Sequence, residues 1–531
     1  MREILYIQAG PVSNYTGTHY WNTQESYFTY DESDLPLTDH SISFKEGQDS
    51  HHNPTLYPRL LIFDHKSNFG PLTQNRNIGE DLHPVSSWQG AVQRQEQERI
   101  SRSEYHALLE TEDDSDAMDP DQYHDTKVRY WSDYSRVFFD SKSMQRIPDA
   151  PDMLEGDWAT NHGLFKRYDE NTELMDGPLR LLIEECDNFQ GVQMMNDTAT
   201  FGGFSHALLR SFRDEYRKAT VMAFSVLSDI MPLSAEIGYV PHTRKIINDG
   251  LCLQGLSELC DLAIPILAPS HWRQPSGTFN FTIDVRGTPG FVLMAQWSSG
   301  RIYTGHRQFC LLSQSPLHFR FGNSICLPIL RWNLIPPNRL RGGLDDLQSY
   351  TTHLNWRKSS PFAQLNGNLF PGSAVRKDEI QAAPQLSLHS QEEFVPYARR
   401  DVSRGFETED LRVYKSFTET NGLKHPFLIS HNMPAYPIPT SFPSIFSVPR
   451  PRSVKLFSSI MTSPSLAIPL SQYVTFVEDT ARRRDAALTT MGLEYDDMRE
   501  LASTLWEIVD GYNGAEVRGE GNEMELGEDE E

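Results

Sequence analysis

An unbroken apolar run that meets a glycine–proline pair opens this chain, and few folds accommodate that order of events. Ile4, Leu5, Tyr6 and Ile7 have the pattern of a strand buried on both faces of a parallel sheet. Gly10 ends the run, and Pro11 suits the first position of a helix, where a missing N–H costs the helix nothing. Tyr15, His19 and Tyr20 follow at near-helical spacing, with Trp21 beside them. Strand, turn and helix N-terminus in that order predict the anion-binding corner of an α/β protein.

A second unit of the same kind spans residues 189–226. The pattern predicts a strand from Val192 to Met195, a loop over 197–203, a helix capped by Ser205, and another strand from Val221 to Val226. Leu208, Leu209, Phe212 and Tyr216 line one face of that helix. In such a β-α-β unit a ligand is expected at the loop before the helix. A further strand is expected over residues 58–64, where Leu60, Leu61, Ile62 and Phe63 run up to Asp64.

Composition narrows the class. Over 531 residues, 38% hydrophobic and 11% aromatic content gives enough apolar mass for two or three packed units. No apolar stretch reaches the ~18 residues of a membrane-crossing helix. The N-terminus reads directly as a strand, without a secretory or transit signal. The five cysteines are scattered and form no CxxC pair, which argues against a zinc ribbon or disulfide framework and for a reducing compartment. Asn14, Asn196 and Asn280 each open an N-x-T triplet, read as a chance match without a signal peptide. Most of the net charge of −24 lies in two acidic blocks, 110–125 and 516–531. Both are expected to be solvated segments, and the remainder offers no basic patch for nucleic acid.

The opening residues resemble the N-terminus of tubulin, MREIxxIQAGQCGNQIGxxFW. Met1, Arg2, Glu3, Ile4, Ile7, Gln8, Ala9, Gly10, Asn14, Gly17 and Trp21 coincide, and Tyr20 stands for a phenylalanine. Where tubulin has QCG facing nucleotide, this chain has Pro11, Val12 and Ser13. Proline offers no backbone donor to a phosphate and valine no polar side chain. Residues 189–226 resemble the tubulin stretch that contains GGGTGSG, a loop whose backbone N–H groups close around phosphates. Here that region reads Asp197-Thr198-Ala199-Thr200-Phe201-Gly202-Gly203. Asp197 adds negative charge beside an anion, Phe201 adds bulk, and no lysine compensates. The PRLLIFDHK segment is similar to tubulin's PRAxxxDLEP, with Lys66 in place of the glutamate, and residues 86–90 are faintly similar to its NNWAKG loop.

Together with the aromatic element at Tyr130, Trp131, Tyr134, Val137 and Phe138, expected to present an inward helical face, this pattern resembles the Misato family. That resemblance implies a non-enzymatic tubulin-like protein that partitions mitochondria and their DNA. It also implies residence at the mitochondrial periphery, on the cytosolic face, with the cytoplasm as the alternative location. Mitochondrial surface or cytoskeletal proteins are the implied partners. The implied fold is α/β: residues 1–265 form a tubulin-like, Rossmann-type domain with a mostly parallel sheet and an acidic insert at about 105–127. Residues 266–440 form a mixed α/β second domain, with strand-like runs at 279–285, 291–297 and 318–321 and an exposed loop at 371–395. Helices follow over 441–515, then an acidic tail over 516–531.

The C-terminal helices are expected over 473–488, with Arg482, Arg483 and Arg484 on a solvated face, and through a stripe of Tyr495, Met498, Leu501, Ala502, Leu505, Ile508, Val509 and Tyr512. That stripe docks on the body in one reading and binds a partner in another. Gly10, Asn14, Thr200, Gly202 and Gly203 are the residues left to a vestigial GTP site. No cofactor is expected; an active GTPase that polymerises, with GTP as ligand, is the alternative. No catalytic residue and no metal ligand is assigned, since the histidines show no HExxH spacing. Ser205 in GFSHA approaches a nucleophile elbow but lacks its last glycine, so a hydrolase is a remote third reading.

Overall fold

The computed structural model describes residues 3–28, 39–48, 54–73, 100–111, 128–149, 157–236, 238–266, 320–321, 324–325, 329–335, 398–408, 428–439, 453–462 and 467–513, with a few more between 411 and 441. The N-terminal body is built on β1 (Glu3–Ala9), α1 (Pro11–Glu25), the hairpin β2 (Phe44–Gln48) and β3 (Pro54–Pro58), β4 (Leu60–His65), α2 (Glu104–Thr111) and β5 (Met144–Ile147). It continues through α3 (Trp158–Thr172), α4 (Arg180–Glu184), β6 (Phe189–Asp197), α5 (Thr198–Glu215), β7 (Thr220–Val226), α6 (Val240–Leu259) and β8 (Leu262–Ile266). Six strands make one parallel sheet in the order β5-β4-β1-β6-β7-β8.

This is the tubulin-like, Rossmann-type architecture expected from the sequence. The apolar run of β1 is buried throughout because strands flank it on both sides and helices cover both faces. From β1 the chain goes outward through β4 and β5, then returns to the other side for β6, β7 and β8. The reversal falls between β1 and β6, the position at which open α/β sheets hold ligands beyond their carboxyl ends. Ala9 stands beside Asn196 in that register.

The two sheet faces are told apart by their aromatic contacts. Tyr6 packs edge-on against Trp21 of α1, with ring centroids 5.0 Å apart. Phe63, on the opposite face, meets Phe204 of α5 at 5.2 Å. Helix α1 is buried from Ser13 to Gln24 apart from half-buried Tyr15, despite its polar composition. Its hydroxyls turn back on the helix, as Thr16 does to the Val12 carbonyl (2.8 Å) and Thr18 to that of Asn14 (2.9 Å). Asn22 donates to the Tyr134 carbonyl at 2.7 Å, so the aromatic segment after the acidic insert lies over α1.

That aromatic segment corrects one expectation. Residues Trp131–Tyr134 form a 3₁₀ turn rather than an α-helix, and extended backbone follows at Ser135. Trp131, Tyr134 and Val137 are buried, but the break in helical period turns Phe138 outward to 63% exposure.

In the second half, β9 (Arg320–Phe321) pairs with β10 (Ser324–Ile325). A mixed sheet has the order β11 (Ile329–Ile335), β15 (Ser453–Thr462), β12 (Ala398–Arg404), β13 (Leu428–Met433), with β14 (Tyr436–Pro437) also on β15. The runs expected at 279–285 and 291–297, the loop at 371–395, most of the acidic insert and the acidic tail lie outside the described residues. The C-terminal helices are α7 (Ala467–Arg483), α8 (Ala486–Met491) and α9 (Tyr495–Asn513). The stretch expected as one helix over 473–488 starts earlier and is split, because Arg484 takes a φ of 51° and Asp485 caps a new helix through the Ala487 N–H. Met498, Leu501, Ala502, Leu505, Ile508 and Val509 are all buried, so this stripe docks on the body.

Candidate functional site

The carboxyl ends of β1 and β6 bring Gly10 and Asp197 together at the switch point. Gly10 has a φ of 107°, and a Cβ there would lie 2.6 Å from Asp197 Oδ2. A residue with a side chain would be both strained and in collision. Immediately beyond, α1 presents the unsatisfied N–H groups of a helix start, except at Pro11, which has none. The Val12 N–H donates to Asp197 Oδ2 at 2.7 Å and the Ser13 N–H to Oδ1 at 2.9 Å. The Ser13 hydroxyl adds a bond of 2.5 Å to Oδ1. The anion expected at this corner is therefore supplied by the chain itself, from the last residue of β6.

Burial pushes the Asp197 carboxyl up to about 7, against the Ser13 hydroxyl and the Val12 and Ser13 amides that favour its charged form; nearby Asp64 pushes in the same direction as burial. Asp64, at the end of β4, is the second buried carboxylate and the centre of a polar cluster. It accepts from Asn14 Nδ2 (2.8 Å), Trp131 Nε1 (3.1 Å), Asn68 Nδ2 (2.7 Å) and the His65 N–H (2.8 Å). Burial raises its pKa despite those donors. Asn14 also donates to the Phe63 carbonyl at 3.0 Å, so its amide is committed to β4.

The β6–α5 junction differs from the sequence expectation. There is no loop over 197–203: β6 ends at Asp197 and α5 begins at Thr198. Ser205 is therefore not a cap but a residue inside the helix, 2% exposed and out of reach of a substrate. The glycines are helical because α3 crosses α5 there, not because a phosphate does. A Cβ on Gly203 would come within 2.3 Å of the Trp158 carbonyl oxygen, and one on Gly202 within 3.0 Å of the Trp158 ring. The Thr200 carbonyl accepts from Asn161 of α3 at 2.8 Å. Phe201 is fully buried between His65 and Phe204. Of the five residues assigned to a vestigial GTP site, Gly10 and Asn14 stand at the corner, whereas Thr200, Gly202 and Gly203 serve the α3–α5 contact.

Sequence reasoning missed a third buried carboxylate. Asp249, midway along α6, accepts the hydroxyls of Thr198, Ser228 (2.7 Å) and Tyr473 (3.3 Å), and the Ser228 N–H (3.0 Å). Burial pushes it up to about 6 in spite of these donors. Successive residues at the junction thus face different partners, Asp197 the start of α1 and Thr198 the α6–α7 layer. The only sequence signal was an acid within an otherwise apolar helix face. Among the described residues, no three His, Cys, Asp or Glu side chains gather to hold a metal ion, and no helix is long and apolar enough to cross a membrane.

Comparison with known proteins agrees with this geometry. Residues 2–111 match the family described as the Misato Segment II tubulin-like domain, and residues 120–282 match the tubulin domain. The chain belongs to the Misato family. It is 32% identical over 280 residues to Protein DML1 of Gibberella zeae, covering 51% of this chain and 54% of that one. It is 35% identical over 288 residues to Protein DML1 of Phaeosphaeria nodorum, covering 52% and 54%. With Protein dml1 of Schizosaccharomyces pombe the identity is 29% over 295 residues, covering 51% and 61%. The matched region spans about half the length of the first two relatives. Within this Misato-family chain, the two matched domains divide in the acidic insert, between α2 and the aromatic cover of α1.

Proposed function

We propose that this chain is a non-enzymatic tubulin-like protein that acts in the distribution of mitochondria and the inheritance of mitochondrial DNA. It would work from the mitochondrial periphery, on the cytosolic face, through mitochondrial surface or cytoskeletal proteins. The cellular role is what the resemblance to the Misato family implies, and one observation carries the non-enzymatic part. The Asp197 carboxylate holds the Val12 and Ser13 amides that a phosphate would need. A nucleotide entering this corner would have to displace an internal carboxyl that already occupies those amides.

A second reading, an active GTPase, is favoured by the retention of Gly10 and Asn14 at the switch point. Calorimetry of the full chain with GTP and GDP, with and without Mg²⁺, separates the two. No heat at tens of micromolar protein fits the self-occupied corner; binding at micromolar or tighter affinity rejects it. For the cellular role, depletion should redistribute mitochondria and lower mitochondrial DNA content. Unchanged mitochondria in depleted cells would reject that part.

A further inference from the structure

Between β6, α5 and α6 lies a small, partly open cavity of about 10 Å³, on the sheet face opposite α1. Its walls are mostly apolar, but Asn196, Ser205 and His206 contribute polar groups and Cys252 a thiol. Three of those polar atoms, Asn196 Nδ2, Ser205 Oγ and His206 Nδ1, are buried with no hydrogen-bond partner among the described residues. The orientation of the Asn196 amide is fixed independently, because its Oδ1 accepts the Ser225 hydroxyl at 2.6 Å. Its NH₂ group faces the Cys252 thiol, a weak acceptor, and makes no full hydrogen bond among the described residues. His206 is held in place by Gly255, whose Cβ position is 2.3 Å from His206 Cδ2, and by the Trp158 ring at 5.4 Å.

Leaving three buried polar atoms unpaired would cost on the order of 1–3 kcal/mol each. A buried water typically makes about three hydrogen bonds and needs a space of roughly 10–15 Å³. The space here is at the lower end of that range, and its walls carry three polar groups. We propose that this cavity is a binding site for one ordered water molecule, which accepts from Asn196 Nδ2–H and bonds to Ser205 Oγ and His206 Nδ1. The water joins the end of β6 to the second turn of α5, one residue from the Asp197 latch. It also gives Ser205 a structural role inside the helix where the sequence suggests a cap or a nucleophile. A neutral imidazole with its proton on Nε2 completes the set, since Nδ1 then accepts from the water.

A crystal structure of the full chain showing ordered solvent tests this directly. One density peak within about 2.7–3.2 Å of all three atoms is expected; an empty cavity, or rotation of these side chains onto protein partners, overturns the proposal. Water ¹⁷O relaxation dispersion gives a second readout on the folded protein. Ser205→Val fills the site with methyl groups and should remove one long-lived internal water from the count. An unchanged count in a Ser205→Val protein with native circular dichroism also overturns it.

Discussion

Asp197→Asn should remove most of the decline in stability that the native protein shows as pH rises towards neutrality. In the native protein the Asp197 pKa is about 7, against about 3.8 for the free side chain. The folded state therefore keeps a proton that the unfolded chain loses. That contribution is fully present below pH ~3.8 and is lost as pH rises through 7. A shift of about 3 units corresponds to about 4 kcal/mol, of which about 3 falls between pH 5 and pH 8. Asp249 acts in the same sense up to its value of about 6. His206 acts in the opposite sense, because burial, His162 and Arg210 lower it from 6.5 to about 4. Its contribution is present above pH 6.5 and is lost as pH falls through 4, so it nearly offsets that of Asp249, each being about 3 kcal/mol. Asparagine cannot titrate, yet it keeps a carbonyl oxygen for one helix amide. Urea unfolding from pH 5 to 8, followed by fluorescence of tryptophans that include buried Trp21 and Trp131, measures the difference. The native midpoint should fall across this range more steeply than the variant's, which retains the smaller effects of Asp64, Asp249 and His206. Parallel curves for the two proteins would refute a buried carboxyl that retains its proton at the start of α1.

Two further substitutions probe the elements around the corner. Gly203→Ala places a methyl group against the Trp158 carbonyl and should cost about 1–3 kcal/mol by prising α3 from α5; a melting temperature equal to the native one would show that this contact yields freely. Tyr473→Phe removes one donor from buried Asp249 and should cost roughly 1–3 kcal/mol, with faster amide exchange at Ser228 and the start of α5; unchanged exchange there would separate α7 from the junction.

Four of the six strands of the parallel sheet, β1, β4, β6 and β7, were legible as short apolar runs, a pattern that needs no knowledge of partners, whereas β5 and β8 were not anticipated. The amphipathic stripe of α9 was legible for the same reason, with its buried positions recurring every three or four residues. Gly202 and Gly203 misled because glycine is a poor helix former, and only the crossing of α3 explains their place in α5. Phe138 misled because a 3₁₀ turn does not keep the helical period. Asp197 was recognised as hostile to a phosphate but not as its replacement. Its partners lie on α1, far away in sequence, and pairing of that kind is a property of the sheet order.

The position of β1 has a consequence for the order of assembly. β1 is a central strand of the sheet, and its two neighbours end at residues 65 and 197, one near in sequence and one far. One edge of Glu3–Ala9 must therefore stay open until the chain has been synthesised as far as Asp197, exposing unpaired main chain in a strongly apolar stretch. Newly made chains of this architecture should depend on a protective factor in that interval, and their earliest errors should begin at β1.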